Sequence, residues 1–269
     1  MRNRQLIYFF LLVAFVLSSC NSNNQWWQQL FNGKNLENWV AYMPSDPVIY
    51  DTLATELSVD KIFTTVEIDG VPAIRISGQA NASLATKKEF ENYHLVVEFK
   101  WGDEVFKTRN SGLLFHSFGD FGAGLGVWMS SHECQMWTGN LGDSYRMGKS
   151  YCEIPMKMND EGKYVYTKGA GKKPSIPDSD TKIIAKDTNY ENPIGEWNTI
   201  ELYCYGTTAV HVINGKVNMV IYNSGKYLGD GNISPLTKGK IQFQSEGGEL
   251  FIKTVKLTPI HKIPENLLK

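Results

Sequence analysis

The chain has 269 residues with 27 Lys and Arg against 28 Asp and Glu. No basic run or basic face stands out, which argues against nucleic acid as a partner. Hydrophobic residues make up 42% of the chain, enough for one large or two small domains with ample core.

The first element in chain order is a targeting segment. Arg2 and Arg4 precede an almost unbroken apolar run from Leu6 to Leu17, which Leu17-Ser18-Ser19-Cys20 closes. A basic start, a short apolar stretch and small residues before the cut describe a secretory signal. The run is shorter than the roughly 20 apolar residues that span a bilayer. Residues 1–19 therefore read as a signal peptide. The small residues ending at a cysteine resemble a lipobox, so Cys20 reads as the lipidated first residue of the mature protein. A plain cleaved signal with an incidental cysteine is the alternative. Residues 20–29 form a lipidated tether, 30–260 the folded domain and 261–269 a C-terminal tail. Asn21 is not the aspartate linked to inner-membrane retention, and Ser22 to Gln28 has no acidic cluster. The expectation is an exported protein, lipid-anchored to the cell envelope, with an outer-membrane anchor and a domain facing the periplasm. Without Arg2 and Arg4 the mature chain carries 25 basic against 28 acidic residues.

Strands follow. In His94 to Trp101 the apolar residues Leu95, Val97, Phe99 and Trp101 alternate with polar ones, the signature of a half-buried strand. Thr199 to Tyr205 alternates in the same way, with Ile200, Leu202 and Cys204 on one side. Val210 to Ile213, Asn214-Gly215 and Lys216 to Tyr222 read as a hairpin with a type I′ turn. Lys240 to Gln244 and Leu250 to Leu257 read as a last pair joined through Gly247-Gly248. No long stretch has helical periodicity. Many short antiparallel strands imply an all-β sandwich or jelly roll. Residues 155–192, rich in Lys, Gly, Asp and Pro, read as a surface excursion with one short hairpin near Tyr164 to Thr167. Cys134, Cys152 and Cys204 follow the anchor; an oxidising compartment permits one disulfide, but buried free thiols are the expectation.

Five patches in order resemble the 3-keto-disaccharide hydrolase domain family. They are Leu30 to Trp39, Asn110 to His116, Glu133-Cys134-Gln135 with Gly142 to Tyr145, Pro193 to Thr199 with the Asn214-Gly215 turn, and Gln244 to Gly248. Together they run through essentially the whole mature chain. The resemblance implies a concanavalin-like jelly-roll sandwich of two antiparallel sheets, which agrees with the strand reading. The family often has Arg where His116 and Lys253 stand, and Lys cannot reproduce a bidentate Arg fork.

Period-two geometry puts Glu98 with Lys100, Gly112 with Leu114 and His116, Glu133 with Gln135 and Trp137, and Gln242 with Gln244 and Glu246. If these strands are neighbours, they converge on one groove where Trp137 and Tyr145 offer flat faces to a sugar ring. Glu98 and Lys100 read equally as a solvated face with a weak surface pair. The activity implied by the resemblance is hydrolysis of 3-keto-glycosides. The ketone acidifies the hydrogen at C2, so a base removes it, the C1 substituent leaves, and water adds afterwards. This requires a base and a positive group or metal to stabilise the enolate oxygen. Glu133 or His116 is the candidate base. Lys100, or a divalent metal ion held by Glu98 and Glu133, is the candidate on the oxygen. Gln135, Trp137, Asn110, Tyr145, Gln244 and Glu246 are candidate substrate-binding residues. The partners implied are a sugar or glycoside substrate, a membrane through the anchor, and a sugar 3-oxidoreductase that makes the ketone. A non-catalytic, lectin-like module on the same fold is the main rival. A laminarinase-type glucanase is disfavoured because no Glu-x-Asp-x-x-Glu run occurs, and a structural envelope lipoprotein because polar groups crowd alternate strand positions.

Overall fold

Alternating apolar and polar side chains produce strands that bury one face, and this chain stacks two such sheets on each other. The computed structural model describes residues 26–269; the signal segment and Cys20 lie outside the described residues. In chain order the strands are β1 (Gln28–Gln29), β2 (Trp39–Tyr42), β3 (Phe63–Ile68), β4 (Val71–Ile76), β5 (Ala82–Thr86), β6 (Phe90–Glu91) and β7 (Tyr93–Val105). They continue with β8 (Gly112–Phe118), β9 (Ser130–Gln135), β10 (Ser144–Met147), β11 (Ser150–Met158), β12 (Tyr164–Tyr166), β13 (Lys172–Ser175) and β14 (Ile183–Ile184). The last are β15 (Asn198–Tyr205), β16 (Thr208–Ile213), β17 (Lys216–Gly229), β18 (Asn232–Pro235), β19 (Lys238–Ser245) and β20 (Gly248–Pro259).

The front sheet runs β14-β10-β9-β8-β19-β5-β2, and the back sheet runs β12-β11-β17-β16-β15-β7-β20-β4-β3. Every named pair is antiparallel, so the architecture is the jelly-roll sandwich expected from the alternation. The core lies between the sheets. Leu95, Val97, Phe99 and Trp101 from β7 and Ile200, Leu202 and Cys204 from β15 meet Leu113, Phe115, Cys134 and Phe243 from the front sheet. Cys134, Cys152 and Cys204 are all free and buried. Asn214 and Gly215, at φ +48° and +76°, close the β16–β17 turn, the positive pair that a type I′ hairpin demands.

Two sequence expectations change. β19 and β20 do not pair with each other. β19 lies between β8 and β5 in the front sheet, whereas β20 lies between β7 and β4 in the back one. Gly247, at φ +97°, carries the chain across, and a side chain on Gly248 would strike the Arg109 backbone. The segment 155–192 is also more than an excursion: it supplies β12 and β13 to the back sheet and β14 to the edge of the front one.

Candidate active site

The outer face of the front sheet bears the polar residues that its period-two strands turn away from the core. Glu133 on β9 sits opposite Tyr145 on β10 and Leu114 on β8, and Gln135 sits opposite Gly112. Gln244 comes from the neighbouring β19, and Glu246 follows that strand directly. The groove so formed is a cavity of about 180 Å³ whose lining includes Asn110, Glu133, Gln135, Trp137, Tyr145, Gln244 and Glu246. Seven of the residues picked out in the sequence therefore share one site.

Gly112 makes the floor possible. A Cβ there would lie 2.3 Å from Glu133 Oε1 and 2.3 Å from Gln244 Oε1, so any other residue would displace both. The absent side chain lets a carboxyl and an amide occupy the same space over the strand. Trp137 is 40% exposed, and its Nε1 donates to Thr108 Oγ1 at 3.1 Å, which fixes the ring at the mouth. At the far end, Trp128, Val127, Leu114 and Met147 form a small apolar cluster against Tyr145, outside the main core. Trp128 Nε1 donates to Ala82 O at 3.3 Å and so ties the loop carrying this cluster across the sheet.

The electrostatics are unusual for a surface. Burial pushes the Glu133 carboxyl well above the usual carboxylate range; the charge of Glu246 adds to the rise and Arg146 opposes it. Burial likewise raises Glu246 to about 7, with Lys107 acting the other way. Among the described residues Gln244 Oε1 and Asn110 Oδ1 are buried without a hydrogen-bond partner. Buried polar atoms are normally paired, so this concentration in a cavity suits groups that serve a ligand. Lys107, close enough to act on Glu246 and 5.2 Å from the Tyr50 ring centroid, was missed in the sequence; it follows the end of β7 in a polar stretch with no periodicity.

Three predicted residues lie elsewhere. Glu98 and Lys100 belong to β7, in the back sheet, and point away from the groove. Lys100 Nζ pairs with Asp69 Oδ2 at 2.6 Å and lies over the Trp197 ring, while Glu98 accepts from Thr254 Oγ1 at 2.6 Å and pairs with Lys253. The groove residue Glu133 and the back-sheet Glu98 thus cannot hold one ion between them. No group of three or more His, Cys, Asp or Glu side chains that could hold a metal ion occurs among the described residues. His116 is the third. The alternation of β8 predicts it on the groove face, but β8 has a bulge against both neighbours and His116 takes φ +50°. Its ring therefore turns inward, 5.8 Å from the Tyr93 ring of the back sheet and 6.4 Å from His132. Gly239 on β19 permits the bulge, because a Cβ there would lie 2.4 Å from the His116 carbonyl carbon. Burial holds this imidazole at about 4, neutral at ordinary pH.

A second cavity of about 420 Å³ adjoins the first across Gln135, Trp137, Tyr145 and Ile183. Its outer wall comes from the 155–192 segment. Lys186 Nζ from that segment donates to Gly139 O at 2.7 Å and pairs with Asp143 at 3.3 Å, and Glu191 Oε2 accepts from Gly139 N at 2.7 Å. These bonds clamp the loop that presents Trp137.

Among curated proteins, none matches the chain in sequence. Among solved structures, a provisionally assigned glycosyl hydrolase of Parabacteroides distasonis is 19% identical with a TM-score of 0.50, covering 87% of this chain and 94% of its own. A second such protein from the same organism is 20% identical with a TM-score of 0.48, covering 87% and 99%. A Bacillus subtilis protein of unknown function with a galectin-like fold is 11% identical with a TM-score of 0.47, covering 87% and 94%. Likeness at this level speaks to the sandwich fold alone. The family assignment comes from sequence: residues 26–258 match a single domain family, and the chain belongs to the 3-keto-alpha-glucoside-1,2-lyase-like domain family, a carbohydrate-active group.

Proposed function

We propose that the groove cleaves 3-keto-glycosides by elimination across C1 and C2 followed by hydration. The observation that carries the proposal is the pair of carboxyls, buried Glu133 and half-buried Glu246, held above the ordinary range in a cavity with unpartnered amides and aromatic walls. Two coupled carboxyls of this kind share a proton over the neutral range, one ionised and one not. The ionised one, assigned to Glu246, takes the C2 proton. The electron pair left on C2 delocalises onto the C3 oxygen, then forms the C1–C2 double bond as the C1–O bond breaks. Glu133, neutral in its dry setting, gives its proton to the departing oxygen. In the hydration step the roles reverse: Glu133 takes a proton from water as its oxygen adds to C1, and Glu246 returns a proton to C2. The amides of Gln244 and Asn110 can turn their NH₂ groups toward the C3 oxygen and stabilise its charge. Acid and base thus come from β9 and the end of β19 respectively, and His116 and Lys100 take no part.

The test is turnover of 3-keto methyl glucoside and a 3-keto disaccharide, each with and without C2 deuterium and with and without chelator. Turnover with a primary isotope effect, reduced by about 100-fold or more in Glu246→Gln and Glu133→Gln, is expected. Binding of unoxidised glucans with no turnover of any 3-keto-glycoside would instead establish a lectin-like module. Activity lost in chelator would place a divalent ion on the enolate oxygen.

The setting of the reaction is part of the same proposal. Cys20 carries a lipid that holds the domain in the cell envelope, at the outer membrane and facing the periplasm, and an oxidoreductase acting at sugar C3 supplies the ketone. Loss of membrane fractionation and of palmitate labelling in Cys20→Ala tests the anchor.

A further inference from the structure

The proposed reaction leaves one end of the sandwich without a role. β7 runs the length of the back sheet, thirteen residues from Tyr93 to Val105, or about 40 Å at the rise of an extended strand. Its far end marks the groove: Val105 pairs with Gly248, and Phe106 N donates at 2.9 Å to the carbonyl of Gly247, directly after Glu246. Its near end marks the tether. Tyr93 pairs with Pro259, and β1, which Trp26 and Trp27 precede, pairs with Lys256 and Leu257 of the same β20. The chain therefore enters the domain at the end opposite the groove.

Two tryptophans stand at that entry and behave differently. The Trp27 ring packs edge-on against His94 with 5.1 Å between centroids, and Lys256 Nζ lies 4.9 Å from it, so this ring is fixed to the sheet. Its neighbour Trp26 is 85% exposed. A single exposed apolar side chain is ordinary, but the place of this one is not. It follows Cys20 by six residues, a stretch that reaches at most about 20 Å. Beside it, a cavity of about 140 Å³ between β1 and the bend after β5 is lined by Gln28, Gln29, Leu30, Phe90 and the exposed Lys87 and Lys88. The next residue, Glu89, pairs with Lys238 at 3.5 Å. An indole suits the headgroup layer of a bilayer, where its ring is sheltered and its N–H stays wet. Amines beside it attract anionic headgroups.

Resting on the Cys20 anchor of the proposed setting, we infer that the tether end of the sandwich docks on a phospholipid surface. Trp26 enters the headgroup layer, Lys87 and Lys88 meet anionic phosphates, and the groove is held about 40 Å away, opening to water. The substrate is then a glycoside in solution and not a glycan attached at that membrane's surface.

The test places the full lipidated protein in phosphatidylcholine vesicles, with and without phosphatidylglycerol, whose brominated acyl chains quench tryptophans that enter the membrane. Wild type is compared with Trp26→Phe, Trp137→Phe and Lys87→Glu/Lys88→Glu; Trp26, Lys87 and Lys88 are exposed, so their replacement leaves the core intact. The expected result is quenching of the wild type that is stronger with phosphatidylglycerol. Trp26→Phe loses it, Trp137→Phe at the groove mouth keeps it, and Lys87→Glu/Lys88→Glu loses the dependence on phosphatidylglycerol. Absence of quenching in the wild type, quenching that survives Trp26→Phe, quenching lost in Trp137→Phe, or indifference to both phosphatidylglycerol and the lysine substitutions would overturn the inference. An unacylated Cys20, seen as absent palmitate labelling, sinks the anchor instead. In that case the Cys20 thiol is coupled to a maleimide phospholipid, since Cys134, Cys152 and Cys204 are buried, and the same quenching comparisons decide the docking surface.

Discussion

At the scale of single residues, Glu246 has the most direct readout. Burial raises its carboxyl from 4.5 to about 7. A group whose pKa rises on folding contributes stability that is fully present below its unfolded value and is lost as pH climbs through the folded one. Between pH 4.5 and about 7, therefore, the wild type loses stability, because the unfolded chain ionises Glu246 while the folded cavity keeps it protonated. Glu246→Gln keeps the shape and removes the titration. Relative to wild type, the variant should gain on the order of 3 kcal/mol of unfolding free energy on moving from pH 5 to pH 9. Urea titrations of both proteins at the two pH values check this. The same substitution removes the base, so stability at high pH and activity should move in opposite directions, as expected of a group kept for function at a cost to the fold. In the wild type, turnover should rise with pH through about 7 as Glu246 ionises.

Among the elements, β8 shows how a short irregularity redirects chemistry. Strict alternation from Gly112 would put His116 over the groove beside Glu133, and nothing in the sequence Leu113 to Phe118 announces a bulge. The signal is on the partner strand, where Gly239 leaves room for the His116 backbone, and only the pairing of β8 with β19 makes that glycine meaningful. His116 instead joins His132 and His211 between the sheets, and burial lowers all three, His116 to about 4 and His211 to about 3. An imidazole depressed on folding contributes stability above its unfolded value, near 6.5, which is lost as pH falls through the folded one. The protein should therefore weaken progressively from pH 6.5 toward 4. Among the described residues His116 has no partner on either ring nitrogen, so His116→Leu breaks no hydrogen bond there. The left-handed backbone is already present in the wild type, and an apolar side chain replaces an unpaired buried polar ring, so the variant should be neutral or slightly more stable at pH 7 and should reduce the acid-side loss. Turnover of 3-keto methyl glucoside should stay within a few-fold of wild type. A variant that folds normally but loses turnover would return His116 to the catalytic site.

For the whole molecule, the strand parity was legible and the sheet membership was not. Alternation placed Leu95, Val97, Phe99 and Trp101 in the core because a strand's two faces are decided by neighbours two residues away. The Asn214-Gly215 turn was legible for the same local reason. Parity also gathered Glu133, Gln135, Gln244 and Glu246, which do share a cavity. It gathered Glu98 and Lys100 as well, because facing outward is the same pattern on either sheet. Which sheet a strand joins is settled by distant partners: β7 pairs with β15 and β20, both far along the chain. The outer wall of the second cavity was hidden in a segment whose Lys, Gly and Pro content suits a loop, although Tyr164 and Ile183 sit in strands there. The division between the two outer faces has a direct consequence. Glu98→Gln/Lys100→Met disrupts the pairs of Glu98 with Lys253 and Lys100 with Asp69 on the back sheet and touches nothing in the groove. These pairs are partly buried, with Lys100 only 13% exposed, so each contributes about 1–2 kcal/mol. The double variant should therefore lower the melting temperature by about 5–10 °C and keep kcat/KM on a 3-keto disaccharide. Loss of turnover by this double variant, at unchanged secondary structure, would mean that the reacting site lies on the back sheet and that the groove over Gly112 serves another purpose.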